Sequence, residues 1–145
     1  MFKKILVPVD GSETAWRALN NALEIGKKFE SEILVVNVIQ PYNNAALLAV
    51  PLDHATINQG NSELEKVGDK VLELAKEMVG SYPHKVEYDM EVGHPSERII
   101  ALSKKVEADA IVLGSRGLSG IAEFFLGSVS SKVSQYETVP VLIVK

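Results

Sequence analysis

Four short apolar runs constrain the fold more than anything else in the chain. They are Ile5-Leu6-Val7-Pro8-Val9, Ile33 to Ile39 with polar Asn37 inside it, Ala110 to Leu113 and Val141 to Val144. Runs that are continuously apolar, rather than alternating, read as strands covered on both faces, the habit of a parallel sheet. A fifth run, Val86 to Val92, alternates: Val86, Tyr88, Met90 and Val92 share one side, and Glu87, Asp89 and Glu91 the other. That pattern predicts an edge strand with one solvated face. Between the runs, apolar residues recur at helical spacing. Ala15, Leu19, Ala22, Ile25 or Gly26, and Phe29 do so from Glu13 to about Phe29, and Leu64, Val67, Val71, Leu74 and Met78 up to about Val79. Ile99, Leu102 and Val106 mark a third helix, and Val129, Val133 and Tyr136 a fourth. Strict alternation of strand and helix predicts an α/β fold: one five-stranded parallel sheet, right-handed crossovers, helices on both faces.

The boundaries carry their own chemistry. Asp10-Gly11-Ser12 reads as a turn and a helix N-cap. Gly80 stops the second helix, and Pro95 stands at the first position of the third. Residues 41–60 break the pattern with Pro41, Asn43, Asn44, Pro51, Asn58 and Gly60, and Ser62-x-x-Glu65 then reads as a capping box. The expectation is a connection of about twenty residues, with Leu47-Leu48-Ala49-Val50 as one short helical turn inside it. Connections that long in a compact domain are lids, binding loops or disorder. The chain has 145 residues, which suits a single domain spanning 1–145.

The chemistry concentrates in Gly114-Ser115-Arg116-Gly117-Leu118-Ser119-Gly120 and, seven residues on, Gly127-Ser128-Val129-Ser130. This stretch leaves a buried strand and enters a helix N-terminus. Glycine permits positive φ and close approach of a ligand to the main chain. Successive free N–H groups make a concave nest, and a helix start adds donors and a positive dipole end. Phosphate fits such apparatus. The donors are backbone N–H groups from Gly117 to Gly120 and from Ser128 to Ser130, with the Ser128 and Ser130 hydroxyls beside them. Arg116 either supplies positive charge or is an ordinary solvated arginine. Asp10 either caps the first helix or meets a ligand at the strand tip, where a carboxylate accepts from ribose hydroxyls or holds a water on Mg²⁺. No Gly-x4-Gly-Lys-Ser/Thr occurs, which excludes a P-loop.

Gly-x2-Gly-x9-Gly-Ser after a strand resembles the nucleotide-binding signature of the universal stress protein family. Lys4-Ile5-Leu6-Val7-Pro8-Val9-Asp10-Gly11-Ser12 resembles that family's opening strand, and Val139-Pro140-Val141-Leu142-Ile143-Val144 its closing one. Only residues 41–60 fall outside the likeness. The resemblance implies a Rossmann-like sheet of the adenine nucleotide alpha hydrolase type, with strand order 3-2-1-4-5. The order then reverses between the first and fourth strands, where ligands of such sheets bind. It also implies ATP as the ligand, with Mg²⁺ held through phosphates and water. Pro8, Val9 and Asp10 would lie beside the nucleoside, and the main chain of Val38 against adenine. A homodimer through Val141–Val144 is implied too, and an apolar edge strand favours that pairing on its own account.

Composition narrows the rest. A formal charge of −4 argues against nucleic acid as a partner. No apolar run approaches the roughly 18 residues of a membrane span, and no signal-peptide core is present, so cytoplasm is the expected compartment. Cysteine is absent, and His54, His84 and His94 have no second ligand at metal-binding spacing. Trp16 reads as packing, and Ile121, Phe124, Phe125 and Leu126 as core, as cover for a nucleotide or as a partner contact. The expected function is a nucleotide-binding module of the stress response rather than an efficient enzyme. The alternatives are a slow ATP hydrolase or phosphotransfer enzyme on the same fold, lacking a visible base and P-loop lysine, and an interaction protein with an unused crevice.

Overall fold

The computed structural model describes residues 1–41, 53–117 and 126–145. The elements run β1 (Lys4–Pro8), α1 (Glu13–Phe29), β2 (Glu32–Ile39), α2 (His54–Val79), β3 (Val86–Val92), α3 (Pro95–Lys105), β4 (Ala110–Gly114), α4 (Ser128–Tyr136) and β5 (Val141–Val144). The strands form one parallel sheet in the order β3-β2-β1-β4-β5. Both the expected class and the expected order are found. Strand periodicity divides the core. Ile5, Val7, Val9, Ile33, Val35 and Val112 face α1 and α2, where Ala15, Leu19, Ala22, Val71 and Ala75 meet them. Leu6, Leu34, Val36, Ile111 and Leu113 face the other way, onto Ile99 and Leu102 of α3 and Val133 of α4. Helices therefore cover both faces, and Ile5, Leu6 and Val7 of the central strand are wholly buried. Their unbroken hydrophobicity has this cause.

The edge strand β3 behaves as expected on one side, where Val86, Tyr88 and Met90 pack half-buried against the α1/α2 core. Its acidic side is less solvated than expected. Glu91 is paired with Arg98 of α3, which donates from Nε at 3.0 Å and from a terminal nitrogen at 2.5 Å, and the Glu91 side chain is only 13% exposed. Arg98 lies seven residues on, so its reach back onto the strand is a tertiary matter invisible to strand alternation.

The second helix begins earlier than expected. Asp53, not Ser62, is its N-cap, accepting from the Thr56 N–H at 2.7 Å. Asn58, Gly60 and Ser62 are helical. A helix once nucleated extends at little cost per residue, so a good cap upstream outweighs about 1 kcal/mol of glycine penalty. All four fully buried residues of α2, namely Gly68, Val71, Leu72 and Ala75, lie in its second half. The expected loop thus loses residues 54–60. The turn expected at Leu47-Leu48-Ala49-Val50 lies outside the described residues, as do Ile121, Phe124 and Phe125. Among the described residues no helix is long and apolar enough to cross a membrane.

At the amino ends of the strands, Tyr82 donates its hydroxyl to the Ser31 carbonyl at 2.8 Å. Burial raises the pKa values of Tyr82 and Tyr88 above the ordinary phenol value. The neutral phenols are therefore favoured in the folded chain. Their contribution to stability is complete below about pH 10, the unfolded phenol value, and is lost as pH rises through the higher folded values. Tyr82→Phe is expected to cost about 1 kcal/mol at neutral pH, by leaving a carbonyl unpaired, and to flatten the alkaline decline. Urea melts at pH 7 and above pH 10 read both effects.

Candidate functional site: a crevice between two parting strands

The site begins where the sheet splits. The β1–β4 ladder stops at Leu6↔Ile111. Beyond that point β1 stays paired with β2 as far as Pro8↔Val36, and β4 stays with β5 as far as Gly114↔Val144. Pro8 accounts for the split. Backbone groups along a strand turn to alternate neighbours. The Lys4 carbonyl accepts from Asp109 on the β4 side, whereas the Val9 N–H donates to Val36 on the β2 side. Pro8 falls in step with Lys4, so its missing N–H faces β4 and removes the next ladder bond.

The two diverging ends are then fixed separately. Both main-chain polar groups of Val9 are engaged: its N–H donates to Val36 at 2.8 Å, and its carbonyl accepts from the Asn37 side-chain amide at 2.8 Å. The Val9 side chain is buried in the core. Val9 therefore holds the strand tip, with its N–H committed to β2. Asp10 follows, half-buried, with Oδ1 accepting from the Ser12 N–H at 2.9 Å. Ser12 itself is the N-cap of α1, accepting from Ala15. The cap is thus Ser12, and Asp10 closes the turn before it. Val38 turns its main-chain groups to the same side as Val36, two residues further along and past the last bond to β1.

On the β4 side the glycines do different work. Gly114 packs on α1: a Cβ there would lie 2.6 Å from Thr14 Oγ1 and 2.8 Å from the Ala15 nitrogen. None of Gly114, Gly117 and Gly127 has positive φ, so close approach rather than a left-handed turn is why they are glycine. Ser115 is framework. Its N–H donates to Val144 at 2.7 Å, and its carbonyl accepts from the Gly127 N–H at 2.7 Å and from the Ser130 hydroxyl at 2.8 Å. The Ser130 hydroxyl also approaches the Gly127 carbonyl. It is buried, and in this structure it is turned inward onto these carbonyls. The Arg116 carbonyl accepts from Thr14 Oγ1 at 2.6 Å, and Ser12 Oγ lies 3.4 Å away. The half-buried Arg116 side chain makes no ion pair among the described residues.

Gly117 closes the geometry. It is exposed, and a Cβ on it would lie 2.9 Å from Asp10 Oδ2. The two informative stretches therefore face each other across the split. The start of α4 joins them, because a Cβ on Gly127 would lie 3.7 Å from the Gly117 nitrogen. Gly127 is the N-cap, no side chain among the described residues caps this end, and the first intrahelical bond runs from Ser131 to Gly127. The N–H groups of Ser128, Val129 and Ser130 are those a helix start leaves for an external acceptor. Leu118, Ser119 and Gly120 lie outside the described residues. Thr14 and Asn37 were not anticipated in the sequence; a lone amide in an apolar strand is the one signal that marked Asn37. Among the described residues no group of three or more acidic or histidine side chains is placed to hold a metal ion.

The whole chain, residues 1–145, matches the universal stress protein family. The chain belongs to that family. It is 37% identical, across the full length of both chains, to universal stress protein YxiE of Bacillus subtilis. Among solved structures it is similar to MJ0577 of Methanocaldococcus jannaschii, with a TM-score of 0.81 and 30% identity over 100% of this chain and 96% of that one. The fold is shared with a universal stress protein in complex with cAMP (TM-score 0.72, 24% identity, 99% and 97% coverage). It is also shared with the Archaeoglobus fulgidus protein in complex with dAMP (TM-score 0.73, 23% identity, full coverage of both).

Gly114→Ala tests the framework of this site. Its methyl would meet backbone atoms of α1, which cannot swing aside, so a loss of about 1–3 kcal/mol is expected. Urea denaturation should show a lower midpoint at unchanged slope.

Proposed function

We propose that the chain binds an adenine nucleotide, ATP first, in the crevice between β1 and β4, and works as a nucleotide-dependent module of the stress response. The observation that carries this reading is the placement of Gly117 against Asp10, beside the uncapped start of α4. An exposed glycine lets phosphate oxygens approach the main chain, and the helix start adds N–H donors and a positive dipole end. In this reading Asp10 Oδ2 accepts from ribose hydroxyls and the Val38 main chain meets the adenine edge. When Mg²⁺ accompanies the phosphates, Asp10 is the carboxylate able to hold one of its waters; the ion would neutralise phosphate charge. The relatives in complex with cAMP and dAMP support an adenine nucleotide as ligand class. We place the protein in the cytoplasm, where such nucleotides are supplied.

Mass spectrometry of small molecules released from the purified protein is the first test, and an adenine nucleotide is the expected finding. Gly117→Val is the second. Among the described residues a Cβ there would meet only the end of the Asp10 side chain, so folding should survive. Losing two phosphate hydrogen bonds of about 1.5–3 kcal/mol each would weaken ATP by two or more orders of magnitude. A folded variant that binds ATP like the parent, by calorimetry, rules the reading out. Turnover on the same preparation separates a binder from a slow hydrolase.

A homodimer belongs to the same proposal. β5 is a sheet edge, Leu142 on it is 44% exposed, and Tyr136 just before it is 63% exposed. Pairing β5 with its copy about a two-fold axis would cover both. Sedimentation at micromolar concentration should give a dimer, and a clean monomer would remove this part.

A further inference from the structure

We infer that Thr14 is a positioning residue for the phosphates: through the Arg116 carbonyl, its hydroxyl aims the Gly117 N–H into the crevice. This rests on the nucleotide reading above. Thr14 sits in the first turn of α1, buried, with its hydroxyl donated to Arg116 at 2.6 Å. Ser12 Oγ, the α1 cap, stands 3.4 Å from the same carbonyl. Gly114 makes the contact possible, because only a residue without Cβ lets β4 run this close to Thr14 and Ala15.

The consequence follows from the peptide plane. Among the described residues no peptide bond is cis. In a planar trans unit the carbonyl of one residue and the N–H of the next point in opposite directions. Fixing the Arg116 carbonyl onto α1 therefore fixes the Gly117 N–H away from α1. The start of α4 lies beside that nitrogen, since a Cβ on Gly127 would be 3.7 Å from it. In this proposal the Gly117 N–H works with the first-turn N–H groups of α4. Glycine flanks the plane and has little torsional preference of its own, so without the hydroxyl the plane could rotate. Thr14 touches no phosphate, but it removes a rotation that ligand binding would otherwise have to freeze.

The test compares ATP with adenosine on the parent, Thr14→Val and Thr14→Ser, by calorimetry and by NMR titration into the millimolar range. Thr14→Val should weaken ATP about tenfold, the net worth of one charge-assisted hydrogen bond, and leave adenosine within about twofold. Thr14→Ser should restore ATP, and the Gly117 amide resonance should shift with ATP in the parent and the serine variant but not in the valine one. Thr14→Ala, which a helix favours, repeats the measurement if valine impairs folding. Equal weakening of ATP and adenosine, or unchanged ATP binding in a variant without the hydroxyl, overturns the role of Thr14 alone. A parent that binds neither ligand overturns the nucleotide reading, and this inference with it.

Discussion

One missing hydrogen-bond donor organises the functional end of this molecule. Pro8 turns its main chain toward β4 and has no N–H to give, so the ladder between the two central strands stops at Leu6↔Ile111. Each strand then follows its outer neighbour. Val9 stays with Val36 and Asn37, and Ser115 stays with Val144. A crevice in a parallel sheet is usually described by the reversal of strand order. Here its depth has a residue-level cause: the reversal decides where the sheet is able to part, and the proline decides how far down it does.

Around that split the motif residues separate into those that hold and those that present. Gly114, Ser115 and Ser130 look inward, toward the first turn of α1 or toward each other. Gly117 and Ser128 look outward and are exposed. A motif read as one phosphate cradle is therefore two layers, an inner one of satisfied carbonyls and hydroxyls and an outer one of free N–H groups. The inner layer determines where the outer N–H groups point, which is the usual relation between supporting and contacting residues in a preorganised site.

Much of this was legible from the sequence because it follows from local rules. The unbroken run at Ile5 and the run at Ile33, interrupted only by Asn37, read as strands covered twice, Ser12 and Glu13 marked the start of α1, and the alternation at Val86 marked an edge. The strand order rested on the family resemblance rather than on any run of residues. What escaped depends on tertiary contacts between different elements. Asn37 reaching Val9, Thr14 reaching Arg116 and Arg98 covering Glu91 leave no periodic trace. The start of α2 escaped for a different reason. Asp53 with Thr56 and Ser62 with Glu65 are both sound caps locally, and because a formed helix extends at little cost per residue, the upstream cap sets the start.

That choice has a consequence for how α2 opens. The helix is about 39 Å long, yet its fully buried residues fall between Gly68 and Ala75. Its amino-terminal half has little tertiary packing to hold it, and an isolated helix of that length is marginal in water. Amide exchange along this one helix should therefore be stepped. Protection would approach the global value around Val71 and Leu72 and fall by orders of magnitude toward Thr56, so that a single continuous element spans two units of cooperative unfolding.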